Sequence, residues 1–214
     1  MTLLLLTALL WLSVHIGIAG TALRGVVVAR IGEGAFRGGF SALSAVAMVL
    51  LVMAYNAAAT TPIWYAPFWL RAMLAAVMLP VFVLFVAALA KPRAPGAGIQ
   101  RITRHPMMNA FALWAAVHVL GNGDTASIVF FGSFLVTAVV GMPSIDAKLA
   151  KRDPQAWAPL AASTSILPFG AILAGRNHLV LREIGWLPPA LGLLAWMALL
   201  HFHGRLFGAM PLAG

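Results

Sequence analysis

The 214-residue chain has no cysteine, which excludes structural disulfides, thiolate metal sites, iron–sulfur clusters and covalent haem attachment through Cys-x-x-Cys-His. Any metal or haem must therefore be held by histidine, carboxylate or methionine. Charge is also scarce. Only 9% of residues are charged, against about 25% in an ordinary soluble domain, and only five are acidic. What remains is 62% hydrophobic with a mean hydropathy of +0.96, the composition of a membrane-embedded chain.

Apolar runs at 3–23, 40–59, 72–90, 107–120, 125–142 and 186–202 predict about six transmembrane helices in a single domain, 1–214. Most approach the roughly 20 residues needed to cross ~30 Å of hydrocarbon, and the fourth is short, starting in the interface near Arg104. Gly121-Asn-Gly-Asp124 allows only a tight antiparallel hairpin between the fourth and fifth. The segment 91–98, rich in Pro and Gly, must leave regular helix. No internal repeat is found. The region 143–185 is expected to form an interfacial helix followed by a shallow or re-entrant piece at 166–174, which is too short for a seventh span and holds Pro168 and Gly170.

Twelve of the fourteen basic residues fall in three loops: Arg24, Arg30 and Arg37; Lys91, Arg93, Arg101 and Arg104; Lys148, Lys151, Arg152, Arg176 and Arg182. Only Arg71 and Arg205 lie on the other face. The positive-inside rule places the three loops in the cytoplasm and both termini outside, so the expected fold is an all-α polytopic bundle, N-out and C-out, in a lipid bilayer. The net charge of +9 then reflects topology, and no recognition motif supports nucleic-acid binding. The first run lacks a basic n-region and a clear cleavage pattern, and is read as a retained helix rather than a signal peptide.

Histidines at membrane depth carry the functional signal, because an imidazole there needs a partner in the bundle interior. His15 lies nine residues before Arg24, about 14 Å in, and His118 lies fourteen beyond Arg104, about 21 Å in. Both are read as near mid-membrane. Two readings stand: a pair of metal ligands, or hydrogen bonds between helices. Trp11, Phe111 and Trp114 share a helix face with one or other histidine and could wall a flat cofactor or pack between helices. His201 is a reserve ligand about 22 Å along its span from Trp186, whereas His203 and His178 are expected in solvent. In Arg104-His105-Pro106, Arg104 and His105 could bind carboxylates, while Pro106 suits a helix start. Glu33 and Arg37 are spaced for an ion pair, and neither Asp124 nor Asp146 has a second carboxylate at metal spacing.

The sequence Gly98-Ile-Gln-Arg-Ile-Thr-Arg-His-Pro106, the later Ala116-Val-His118, Asn122-Gly-Asp124 and Thr164-Ser-Ile-Leu-Pro-Phe-Gly170 through Arg176 together resemble the NnrU family. His15 followed by Gly32-Glu-Gly-Ala-Phe-Arg37 extends that resemblance over nearly the whole chain. It implies a multi-pass protein of the bacterial inner membrane, with a redox role tied to nitric oxide or nitrite reduction in denitrification. It also implies kinship with cis-zeta-carotene isomerases, which use haem b. From that branch come His15 and His118 as ligands to haem iron and His201 as a third candidate, and Arg104 and His105, read from their own chemistry, could then bind the haem propionates or another anionic ligand. An apolar small molecule or nitric oxide would be the partner. The isomerases carry a further histidine near the end of the second span, where this chain has Asn56, so the redox reading is preferred to polyene isomerisation. Arg-His-Pro also resembles isoprenylcysteine and phospholipid methyltransferases, but Met107-Met108 and the lone Asp146 depart from their pattern. A scaffold for reductase assembly would need neither membrane histidine.

Overall fold

The structure, a computed structural model, describes residues 1–90 and 94–212. Lys91 and Arg93 of the second basic loop, and the first part of the 91–98 connector, lie outside the described residues. The chain begins with α1 (Thr2–Leu12), which widens into a π-helical turn, Ser13–Ile18, and bends by 77° into α2 (Leu23–Ile31). The bend is built from small residues. A Cβ at Gly20 would meet the Ile16 carbonyl oxygen at 2.3 Å, and Thr21 returns its hydroxyl to the Gly17 carbonyl at 2.6 Å.

After Gly32 come α3 (Glu33–Asn56), α4 (Phe68–Leu89), a 3-10 turn at Gly98–Arg101, α5 (Pro106–Asn122) and α6 (Thr125–Arg152). Three short helices follow, α7 (Pro154–Ser163), α8 (Gly170–Leu173) and α9 (Leu181–Ile184), before the last span, α10 (Leu187–Phe207). Among the described residues there is no strand, and α3, α4, α6 and α10 are each long and apolar enough to cross a membrane. The bent pair α1–α2 passes the same test when taken together, for up to five crossings by length and composition, and α5, at 17 residues or about 25 Å, is a shorter apolar helix. Exposed Leu6, Leu9, Val46, Val49, Met53 and Leu194 give the bundle the apolar exterior that lipid requires.

Three boundaries differ from the hydropathy reading. The first crossing ends at Ile18, and Arg24 and Arg30 sit on α2 rather than in a loop. The third helix starts at Glu33, because residues 33–39 tolerate helix although they are too polar for a hydropathy window. The fifth span does not stop at Met142: α6 runs on through Pro143 to Arg152, and α7 is the separate helix within the 143–185 region. The piece at 166–174 is a shallow loop with only α8 in it, docked on the segment before α5 through Phe169 N to Ile102 O at 2.7 Å and Arg104 N to Ser165 O at 2.8 Å.

The helices pack in the order α10, α4, α5, α6, α1, α3. Leu4, Ala47, Leu51, Ala115, Phe130, Phe131 and Phe134 centre one core between α1, α3, α5 and α6. A smaller one joins α4 to α5 around Val81, Leu84 and Ala110. Gly192 lets α10 reach α4, since a Cβ there would lie 2.9 Å from Val83 Cα, the close approach that small residues permit between membrane helices. The hairpin between α5 and α6 turns on Gly123 at φ 68°. There Asp124 caps α6 by accepting from Ser127 N at 2.9 Å, and Thr60 donates to the same carboxylate at 2.5 Å.

Candidate functional site

His15 and His118 are set in the same local way. Each lies one helical turn beyond a tryptophan, and its Nδ1 is 2.9 Å from the Trp11 carbonyl (His15) or 2.8 Å from the Trp114 carbonyl (His118). A carbonyl oxygen only accepts, so Nδ1 carries the proton and the lone pair of the neutral ring is on Nε2. Such a tie is the usual way a protein fixes the tautomer of a metal-ligating histidine. Both side chains are half-buried. His15 stacks on Trp11 at 3.8 Å between centroids and meets the edge of Phe40 at 5.3 Å; His118 stacks on Phe131 at 4.7 Å and meets Trp114 at 5.2 Å. His15 also falls within the π-helical turn, a distortion frequent at functional sites.

The two rings are not brought together. α1 runs alongside α6 in the same direction, with Trp11 Nε1 donating to Thr137 Oγ1 at 3.0 Å and Ser144 donating to the Gly20 carbonyl at 2.7 Å. α5 runs the opposite way, so His118 lies at the level of Phe131 while His15 lies between those of Thr137 and Ser144. The separation along α6 is roughly 10–15 Å. Between them stand Trp11, Phe134 and Trp114, with Phe134 at 4.8 Å from Trp11 and 5.4 Å from Trp114. The reading of both histidines at one mid-membrane depth therefore fails. His118 is near the hairpin end of the bundle, and His15 is toward the end that carries the basic loops.

A haem iron tests this donor set. Each imidazole has the chemistry of an axial ligand, with Nδ1 tied and Nε2 open, but His15 and His118 do not fit as two trans ligands of one iron in this arrangement. His201 does not join either ring. It is on the exposed side of α10 against Phe202 at 4.7 Å, whereas His203, expected in solvent, is half-buried with its ring 6.4 Å from His118. His178 is exposed, as expected.

Arg104 and His105 are brought together, with a partner that sequence reasoning passed over. Asp146, on the extended part of α6, receives Arg104 Nη2 at 2.9 Å on one carboxylate oxygen and faces His105 Nε2 at 2.7 Å with the other. Arg104 also donates to Thr164 at 3.1 Å and covers the Trp157 ring at 4.7 Å. Asn109 donates to Thr103 Oγ1 at 2.8 Å and to the Ile166 carbonyl at 2.9 Å. This buried knot ties the start of α5 to α6 and to the 164–166 loop, and it engages the groups that were candidates for haem propionates. Nearby, Arg101 pairs with Glu183 at 2.7 Å, and that arginine together with the Gly98 N–H holds the Glu183 carboxyl down at about 2. Glu33 pairs with Arg37 at 2.8 Å, as its spacing predicts, and with Arg24 at 2.7 Å.

Two signals for the missed residues were available. Asp146 is four residues beyond Met142, on its helix face, and a carboxylate continuing an apolar face inward requires a cationic partner. His203 is seven residues beyond Trp196, which donates to the Ala75 carbonyl of α4 at 2.7 Å, so 196 and 203 share the interior face and 201 does not.

An all-helical polytopic membrane bundle with histidines set in its apolar interior is the class these features define. The chain belongs to the NnrU family, matching the NnrU protein description over residues 3–211. It is similar to the chloroplastic 15-cis-zeta-carotene isomerase of Arabidopsis thaliana, 31% identical over 191 residues, which is 82% of this chain and 52% of that protein. It is similar as well to the chloroplastic 15-cis-zeta-carotene isomerase of Zea mays, 35% identical over 98 residues, 45% of this chain and 27% of that one. The chain thus spans about half or less of each relative's length. No solved structure matches it significantly.

Proposed function

We propose that this protein isomerises cis double bonds of an extended, apolar polyene inside the membrane, using haem b held by membrane-embedded histidine. The observation that carries this reading is the 31% identity to a 15-cis-zeta-carotene isomerase across 82% of the chain. The two histidines poised with open Nε2 atoms are compatible with it. An isomerisation adds and removes no atoms and leaves no net oxidation, so no co-substrate is consumed. Haem b would be held by one of these histidines and would supply a redox-active iron beside the polyene. The chain's own residues do the rest. His118 or His15 offers Nε2 to the metal, the tryptophan carbonyls hold the ring orientation, and Phe131, Trp114, Trp11 and Phe40 supply apolar aromatic walls.

Asn56 ends α3 with its side chain exposed, about 24 Å along the helix from Phe40 beside His15 and at the hairpin end, where its neighbour Tyr55 meets Phe131, the ring that His118 stacks on, at 5.9 Å. A second reading, a haem redox role in nitric oxide or nitrite reduction in a bacterial inner membrane, is favoured by that same departure from the isomerases. A methyltransferase reading loses support because Arg104 and His105 are already engaged by Asp146.

The test is incubation of detergent-purified protein, reduced and loaded with hemin, with a cis-polyene in the dark without oxygen, followed by chromatographic separation of isomers. Conversion in the wild type and its loss in His118→Ala supports the isomerase. A haem-loaded protein that leaves the polyene unchanged, yet binds nitric oxide when ferrous, replaces it with the redox reading.

A further inference from the structure

We propose that α2 is an interfacial helix that binds an acidic phospholipid at the end of the bundle carrying the basic loops. Arg30, Arg24 and Arg37 meet the headgroup phosphate, and Leu23 and Val26 lie among the acyl chains. The fold sets this helix apart. None of its nine residues is buried, and the 77° bend turns it from the direction of α1, so that it runs close to the membrane plane where α1 crosses. The bend is held from α6. Ser144 donates to the Gly20 carbonyl at 2.7 Å and Lys148 donates to the Ala19 carbonyl, which puts a cation on the carbonyl end of the broken helix. The direction of α2 is thus set by the protein's own contacts.

Its outward side has the make-up of a membrane-surface element. Leu23, Val26 and Arg30 stand at i, i+3 and i+7, one stripe along the helix, and all three are exposed. Water would leave the two apolar side chains unburied, whereas a bilayer takes them up and lets the arginine lay its stem along the chains and lift its guanidinium to the phosphates. Among the described residues Arg30 makes no ion pair. Its anion comes from outside the chain.

The use of the other arginines points to an acidic lipid. Arg101 and Arg104 are engaged by Glu183 and Asp146, and Arg176 by the carbonyls of Ala161, Ala162 and Thr164. Arg24 and Arg37 instead share one carboxylate, Glu33, reached by Arg24 Nη2 at 2.7 Å and by Arg37 Nε at 2.8 Å. Arg24 lies over the Phe36 ring at 5.1 Å. Two guanidiniums on one carboxylate leave a net positive charge, and among the described residues the terminal nitrogens of Arg37 make no hydrogen bond. A phosphodiester offers paired oxygens to such a fork. A zwitterionic lipid sets a cationic amine beside its phosphate, which these arginines repel, so the partner is a lipid of net negative charge.

The test uses the full-length protein in phosphatidylcholine vesicles containing spin-labelled phosphatidylglycerol or spin-labelled phosphatidylcholine. Electron paramagnetic resonance reads the share of each label held at the protein. The wild type should hold phosphatidylglycerol several-fold more strongly, and molar salt should remove most of that preference, since exposed charges are screened. Arg30→Gln should weaken the preference by roughly threefold. Its thermal melt in detergent should not move, which separates lost lipid contact from lost fold. Leu23→Ser with Val26→Ser should weaken the preference while every charge stays, and Lys151→Gln with Arg152→Gln, at the end of α6, should change it less than Arg30→Gln does. Equal holding of the two labels by the wild type overturns the proposal, as does a preference that survives Arg30→Gln combined with Arg37→Gln or that is abolished by the α6 pair. Inorganic phosphate is the last arm: if it displaces the phosphatidylglycerol label at millimolar concentration, the arginines bind a free anion and the lipid assignment falls.

Discussion

Two regions of this bundle contain histidine in different chemical settings. At the end bearing the basic loops, His105 presents Nε2 to Asp146, and Arg104 closes the other side of the carboxylate. In the apolar interior, His15 and His118 present Nδ1 to a backbone carbonyl and keep Nε2 clear. The first arrangement uses the nitrogen that would reach a metal and joins three chain segments. The second uses the other nitrogen and leaves a ligand available. Hydropathy and charge do not distinguish these histidines; their partners do, a carboxylate on the neighbouring helix for His105 and a carbonyl one turn back on the same helix for His15 and His118.

The contrast breaks most visibly at His118. Its replacement by Ala should lower polyene conversion by at least a hundredfold while the thermal melt of the apoprotein moves little, since the side chain is half-buried and its one recorded hydrogen bond is to the Trp114 carbonyl. A large loss of stability in the apoprotein would place His118 with His105, as a structural residue. Asp146→Ala should do the reverse. It strands a guanidinium and an imidazole that are about nine-tenths buried, at a cost of about 3–5 kcal/mol, so yield and melting temperature fall sharply. Protein that does fold should keep the wild-type haem spectrum, and a changed spectrum would show that the knot reaches the cofactor.

Smaller effects sharpen the same distinction. Trp11→Phe keeps a ring against His15 and Phe134 but loses the bond to Thr137, and should cost about 1 kcal/mol in a denaturation measurement. A cost several times larger would mean that the Trp11 ring, rather than its N–H, aligns α1 on α6. The smallest change is expected at Glu183. Its carboxyl falls from the ordinary 4.5 to about 2 through the Arg101 and Gly98 hydrogen bonds, so its contribution to stability is complete above 4.5 and fades as pH drops through about 2. Melts of the wild type and Glu183→Gln should differ near neutrality and converge in strong acid. A gap that persisted at low pH would assign the effect to shape rather than charge.

Much of this arrangement was readable in the residues. The apolar runs located the four helices long enough to cross and the bent first pair, Pro106 marked the start of α5, and Gly123 with Asp124 marked the hairpin, because each depends on local chemistry alone. Boundaries were lost where a helix continues into polar sequence: nothing in 143–152 forbids helix, since Pro143 is accommodated in an interior position, and α6 uses that length to carry Asp146 to Arg104. Depth was misjudged because counting from the nearest arginine assumes that each span starts at the same plane. Arg104 belongs to a buried loop and Arg24 to the bent helix α2, so the two reference points were not equivalent. The partners of His118 and His105 required the packing order of α4, α5, α6 and α10, which no single stretch of sequence encodes.

The widened turn at Ser13–Ile18 matters for how such chains diverge. A π-helical turn takes up an extra residue locally, so deleting one position there would let the helix close to ordinary pitch with the helix on either side keeping its facing, and the residues inside the turn, His15 among them, would be the ones re-aimed. The change would leave the apolar run intact and nearly the same length, while the imidazole lost its present setting against Trp11 and Phe40. In this segment a one-residue gap between related chains can therefore record a redirected histidine, a change of chemistry that a hydropathy profile would show as none at all.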